Sequence, residues 1–574
     1  MSVLSSRKTK IGRAFFCCIN EIGGIVMKKW KLGISIVLAT GLLIGCGTQA
    51  EGNNDSDISE TTKIVQETGV GVSAEITTLD TTQATDRNTF TVIEQIFEGL
   101  YRFNAEDELE LALAEEEADI SEDGLTYTFK LREDAKWSNG TPVTANDFVY
   151  AWGKMVNPES LSPNAYLFEN IKNGAEVVKG EKELSEFGVS AVSDYELKVE
   201  LEVPRPNFLS LLAIGWFFPQ NEEFVESQGD NYAQDTDSII YNGPFTLVDW
   251  KDGATSWAYE KNESYYDKNQ VALDRVNVAV VKEVSTGLNL YETGEVDVVT
   301  LTGDYAKQFE TNENLIRKQE LALQYLTYNA SENSPLNNEH LRKAIALSID
   351  RKELTENVLE DGSEPLGGLI PRKLLTNPET NEDFRTDNGS FNDYDSEKAK
   401  AEWALAQEEL GDTLELELLT NDDATSKKVG TYIQSEVQEH LPGVTVIIRS
   451  VPSNVAKTER TSGNYDFSIA GWIAGDLDPT GFFVLLETDS PYNYGSYQND
   501  EYQALIDESK TTYANDSKVR YANFLEAEKI LMDTAAFQPL YQRTTNYLQR
   551  PTVQGLESHL LGSDFTFRNA TIAE

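Results

Sequence analysis

The chain has 574 residues, with 48 Lys+Arg against 96 Asp+Glu, a formal net charge of −48, 40% hydrophobic and 10% aromatic residues. That apolar content excludes global disorder, and at roughly 100–200 residues per domain it predicts about three structural units. The acidic excess argues against a nucleic-acid partner and against direct docking on an anionic membrane, since both need Lys/Arg.

The first element in chain order reads as an address. Residues 27–46 are MKKWKLGISIVLATGLLIGC. Lys28, Lys29 and Lys31 precede an apolar run from Leu32 to Ile44 that is too short for an ordinary spanning helix. Leu43-Ile44-Gly45-Cys46 looks like a bacterial lipobox, with cleavage before Cys46 and lipid (palmitate) on its thiol. Residues 1–26 read as an upstream extension, with Met27 as the start and 27–45 as the signal. Cleavage leaves 41 basic and 95 acidic residues, a net charge of −54. Residues 46–63 read as the lipidated cysteine and a flexible acidic tether.

Past residue 64 the pattern is mixed. Thr126 to Leu131 alternates polar and apolar, which predicts a half-buried strand. Trp137 to Pro142 is turn-rich, and Thr144 with Asp147 three residues on predicts a capped helix through Phe148 and Trp152. Pro204–Pro206 and Pro365–Pro371 read as loops. Leu341, Ala344, Ile345, Ser348 and Ile349 have helical spacing, and 395–410 is a second helix with its charges outward. Leu414, Leu416 and Leu418, then Val444, Val446 and Ile448, alternate as strands. The fold class is α/β.

The chemistry-bearing residue types are sparse. His340, His440 and His559 lie far apart, and the cysteines are Cys17, Cys18 and Cys46 alone. Neither a zinc-ligand spacing nor a His-based triad is readable, no cysteine remains for a disulfide or nucleophile in the body, and no metal or other cofactor is expected. Neither G-x-S-x-G nor H-E-x-x-H occurs. A secreted hydrolase using paired carboxylates is the rival of another class, but among 96 acids chance neighbours are certain, so their abundance is no evidence for it.

Residues 122–152, EDGLTYTFKLREDAKWSNGTPVTANDFVYAW, resemble the signature of the family 5 extracellular solute-binding proteins, the oligopeptide and dipeptide receptors of ABC importers. Further family-like pieces follow in order: Phe97–Leu100, Tyr241–Pro244, Asn262–Tyr266, Gly294–Asp297, Leu341–Arg351, Gly471-Trp472 and Asp478-Pro479. The resemblance implies a non-enzymatic, monomeric receptor with a two-lobe, periplasmic-binding-protein-like fold and an extra subdomain on the first lobe. Lobe I would comprise 64–105, 225–324 and 536–574, the extra subdomain 106–224, and lobe II 325–535. It implies hinge closure over a short peptide added as a strand, then delivery to the permease transmembrane subunits. Pheromone delivery is the alternative use of the same fold, and haem and nickel-chelate cargo also occur in the family.

The resemblance places the ligand beside Trp472, Ile473, Ala474, Gly475, Asp476 and Asp478. The family carries an α-ammonium-pairing aspartate three residues after the tryptophan; here that position is Gly475, and Asp476 comes one later. A one-residue shift re-aims a side chain. Ile469 stands where some members carry a carboxylate-binding arginine, which tilts the expectation toward an apolar peptide. On the first lobe, Arg87 and Asn88, then Asn164, Ala165 and Tyr166, match ligand-facing loops. Tyr328 and Asn329 match a hinge-and-cleft segment, and Asn242 and Gly243 a cleft floor where glycine permits close backbone approach. Trp137, Phe148 and Trp152 are expected to be subdomain core.

Overall fold

The computed structural model describes residues 65–573 apart from Ala474. The expected extension, signal, lipobox and tether lie outside these residues. Among the described residues, no helix is long and apolar enough to cross a membrane.

One large mixed sheet runs through both lobes. Its strand order is Val444–Val451, Leu414–Asn421, Phe467–Ile473, Leu315–Tyr328, Phe537–Gln549, Val298–Leu301, Glu67–Val72, Arg275–Val280, Ser256–Lys261 and Phe245–Val248. The pairs Glu67–Val72 with Arg275–Val280 and Leu414–Asn421 with Val444–Val451 are parallel. The two longest strands, Leu315–Tyr328 and Phe537–Gln549, are antiparallel neighbours at the centre and carry the chain between lobes. Their register shifts between Gln319 and Leu323 and again between Gln324 and Tyr325. Such irregularities bend a strand and increase its local twist, so the crossover is bent there.

In the second lobe the alternation of the long strand feeds two cores. Leu326 and Tyr328 join an apolar cluster with Ile345, Trp403, Leu416, Val446 and Ile469. Leu323 and Tyr325 face the other way, among Phe483, Tyr502, Phe524 and Phe537. The strands predicted at 414 and 444 extend over Leu414–Asn421 and Val444–Val451, and the helix at 395 runs Ser396–Leu410 with Asp395 accepting the Lys398 N–H. The helix predicted from Leu341 begins earlier, at Glu339, because Asn338 caps it.

The subdomain is built on an antiparallel four-stranded sheet containing Thr126–Lys130 and Glu196–Glu200. The helix Ala145–Val156 covers it. Asp147 accepts the Thr144 backbone N–H at 2.8 Å and the Trp137 indole N–H at 3.3 Å. Trp137, Phe148 and Trp152 are fully buried there, in one cluster continuous with lobe I residues such as Val276 and Val278. Core is therefore their role.

One detail departs from the sequence reading. The Pro365–Pro371 segment is not all loop: Glu364–Pro365 pairs with Gln542 and Tyr541 at a sheet edge, a position proline tolerates. The rest is tied inward by Glu528, which accepts the Ile370 N–H at 2.9 Å. Gly368 is required here, because a Cβ would lie 1.7 Å from Arg385 Nη1.

The C-terminal tail completes lobe I. Gln66 exchanges hydrogen bonds with Ile572 at 3.1 and 3.0 Å. Gln95, on the helix Arg87–Ile96, donates to Phe565 O at 2.8 Å and accepts from Phe567 N at 3.0 Å.

Candidate functional site

A cavity of about 250 Å3 sits where the lobes and crossover strands meet. Gly71, Arg87 and Asn88 contribute from the N-terminal region, Lys318, Glu320, Arg543 and Thr545 from the crossovers, Ile473 from lobe II, and His559 and Asp564 from the tail. Asp86 caps the helix Arg87–Ile96 and so fixes Arg87 at its first turn. Arg87 pairs with Asp564 at 2.5 Å and donates to His559 O at 3.1 Å. Asn88 accepts from Ser73 Oγ at 3.2 Å.

The strand Phe467–Ile473 reaches this cavity from the other side. One edge pairs with Leu315–Tyr328 through Ile473 opposite Ala322. The other edge pairs with Leu414–Asn421 only at Phe467 and Ser468. From Ala470 to Ile473 that edge has no ladder partner among the described residues, while Ile469 O accepts from Arg460 Nη1 at 3.2 Å. Ile473 is 45% exposed. Trp472 is half-buried: its indole N–H donates to Gly481 O at 2.7 Å and its ring meets Tyr492 edge-on at 4.7 Å. Ala474 lies outside the described residues. A Cβ on Gly475 would meet nothing within 4 Å, so this position opens into space.

Both nearby carboxylates are claimed. Asp476 pairs with Arg205 of the extra subdomain at 2.9 Å. Asp478 is buried, accepts Arg520 Nη2 at 2.9 and 2.7 Å and takes the Thr480 N–H at 2.9 Å. Asp478 therefore anchors its own loop to the helix Ser517–Asp533. Ile469 is not at the cavity. It is 5% exposed inside the lobe II core, because its strand position has the parity that faces Leu326 and Val446.

The other expected residues divide. Tyr166 is 57% exposed, beside the Arg205–Asp476 pair; loss of solvent around its hydroxyl raises the phenol, and Tyr492 and Asp476 add to that while Arg205 opposes it. Asn164 is buried and donates to Ala84 O at 2.9 Å, and Ala165 is buried beside it. Asn242 exchanges bonds with the Glu98 backbone at 3.1 and 3.0 Å, and a Cβ on Gly243 would lie 2.6 Å from Phe97 N. Those two residues pin the end of the Arg87–Ile96 helix. Asn329 ties the strand end to Gly463 O and Tyr465 O. Tyr328 lines a separate cavity of about 510 Å3 within lobe II.

Lys318, Glu320, Arg543, His559 and Arg205 were not legible in the sequence, for they come from crossover strands, a tail and a loop that carry no motif. Lys318 is the most informative. Burial pushes its ammonium down to about 8, against the pull of Asp107 at 3.9 Å and with Arg87 and Lys373 helping. A carboxylate entering the cavity would favour the charged form. Affinity for a ligand presenting one there is expected to fall as pH rises through 8, by up to about tenfold per unit, with proton uptake on binding. Titration calorimetry in buffers of differing ionisation enthalpy measures both, and Lys318→Met should flatten the profile. The same group acts on stability with a definite sign. Its folded value lies below the free-lysine 10.5, so it opposes folding most below pH 8 and ceases to do so as pH rises toward 10.5.

Two lobes joined by paired crossovers, with a cavity and an open strand edge at their junction, define a ligand-capturing receptor. The profile of the bacterial extracellular solute-binding proteins, family 5, matches residues 108–494. The chain is 31% identical to a dipeptide-binding protein of Lactococcus lactis subsp. cremoris, over 95% of this chain and 100% of that one. It is 30% identical to the oligopeptide-binding protein OppA of Bacillus subtilis, over 95% and 99%. Among solved structures, Listeria monocytogenes OppA bound to peptide superposes with TM-score 0.73 at 39% identity, covering 89% of this chain and 99% of that one. The pheromone receptor PrgZ gives TM-score 0.74 at 31% identity, covering 89% and 100%. The chain belongs to the family 5 extracellular solute-binding proteins.

Proposed function

We propose that this protein is a monomeric, non-enzymatic receptor that captures short peptides between its lobes and delivers them to an ABC permease, held at the outer face of the membrane by lipid on Cys46. Lobe I is assigned to 64–105, 225–324 and 536–574, with 106–224 as its subdomain, and lobe II to 325–535. The observation that carries the reading is the unpaired strand edge Ala470–Ile473 ending at the cavity. An extended peptide adds to such an edge through main-chain hydrogen bonds, which supply affinity without demanding a sequence. The peptide-binding names of the relatives support it. The likeness to PrgZ favours a second reading, delivery of a signalling peptide.

Native mass spectrometry of the protein after exposure to a diverse peptide pool tests this. Retained peptides are expected, and their length and composition separate nutrient capture from a single signalling ligand. No retained peptide would overturn the reading. Because Arg205 and Arg520 occupy Asp476 and Asp478, no free carboxylate of this loop awaits a ligand ammonium. Free and N-acetylated versions of a retained peptide are therefore expected to bind within about threefold, less than 1 kcal/mol apart.

A further inference from the structure

We propose that Arg205 and Asp476 form a latch that holds the lobes closed and thereby sets the affinity for cargo. The pair joins the extra subdomain to lobe II without passing through the crossover strands. Its geometry is built from both sides. Arg205 donates Nε–H to Asn207 Oδ1 at 3.3 Å and Nη1–H to Leu167 O at 3.5 Å, which leaves Nη2 aimed at Asp476 Oδ2 at 2.9 Å. Asp476 Oδ1 accepts the Asp478 N–H at 3.0 Å, and Asp478 is itself clamped by Arg520. The carboxylate is thus fixed to the lobe II core rather than carried on a free loop.

Burial makes the pair worth more than an ordinary surface ion pair. The side chains of Arg205 and Asp476 are 22% and 14% exposed. Exposed pairs contribute little, whereas breaking a desolvated pair leaves charges uncompensated. Beside it, Leu477 packs against the apolar clusters of both lobes. A hinge opening of a few ångströms separates all these groups, so their interaction exists only in the closed form. An interaction confined to one state shifts the population toward that state, and the apparent affinity rises with the fraction that is binding-competent.

The inference rests on the hinged-receptor reading, but its first test needs no peptide. No cysteine follows Cys46, so in the chain processed and lipidated there the two introduced cysteines carry the labels. Leu161→Cys on the subdomain and Val455→Cys on lobe II are exposed positions for spin labels. Arg205→Gln and Asp476→Asn should each move the peptide-free distance distribution toward longer, open values. The exchanged pair, Arg205→Asp with Asp476→Arg, should restore the shorter distance. With a peptide recovered from the pool, each single variant should bind about tenfold more weakly, through faster dissociation, and the exchanged pair should recover most of that. Raising salt from about 50 to 500 mM should weaken the wild type and leave the single variants nearly unchanged. Unchanged distances in both single variants overturn the latch. So does a gain of affinity in Arg205→Gln, which would show Asp476 serving the ligand instead. Failure of all peptides to bind, with the distances still shifting, would remove the cargo reading and leave the latch standing.

Discussion

Arg385→Met is expected to destabilise lobe II by about 3–5 kcal/mol, the cost of leaving a buried carboxylate without its cation. The pair is 2% and 0% exposed at Arg385 and Glu528. Glu528 accepts Arg385 Nη1 at 2.7 Å and Nη2 at 2.5 Å, Asn388 Nδ2 at 2.5 Å and Ile370 N at 2.9 Å. One carboxylate therefore fastens the helices Phe384–Asn388 and Ser517–Asp533 and the Leu366–Ile370 loop. Urea unfolding followed by tryptophan fluorescence should show a lower midpoint. The double variant Arg385→Met with Glu528→Leu should recover much of the loss, because it removes the orphaned charge as well. A single variant as stable as wild type would mean that Glu528 is satisfied by its amide donors alone.

The largest expected effect on binding comes from Trp472→Ala. The ring lies one residue before the cavity-lining Ile473 and is oriented twice, by Gly481 O and by Tyr492. Aromatic anchors of this kind contribute about 2–4 kcal/mol when they touch ligand, roughly 30- to 1,000-fold in affinity. Trp472→Phe keeps the edge-on contact and loses the bond to Gly481, so it should retain most of the affinity. Equal affinities for wild type and both variants, measured by calorimetry on a peptide recovered from the pool, would confine Trp472 to packing.

Local physical chemistry made much of the fold legible. Alternation at 126–131 and 414–418 marked strands, and Thr144 with Asp147 marked the start of a helix. The site was less legible, for four reasons. Ile469 and Ile473 lie on the same face of one strand, and only their distance along it separates core from cavity. Asp478 is held by Arg520, 42 residues on, a partner that no local pattern marks. Glu320 and Arg543 lie where a register shift interrupts the strand pattern and Lys318 just before it, so periodicity did not mark them. Arg205 stands between two prolines in a loop whose partner belongs to the other lobe.

The tail that closes lobe I also orders the way the protein is assembled. Gln66 bonds to Ile572 and Gln95 to Phe565 and Phe567, across about 470 to 506 residues of chain. A chain released N-terminus first holds these early residues without their distant partners until residues 565–572 are available. The lobe II strands Leu414–Asn421, Val444–Val451 and Phe467–Ile473 come from one continuous stretch with far nearer contacts, and closing near contacts costs less loop entropy. Lobe II is the half able to fold first, while lobe I waits for residues 565–572.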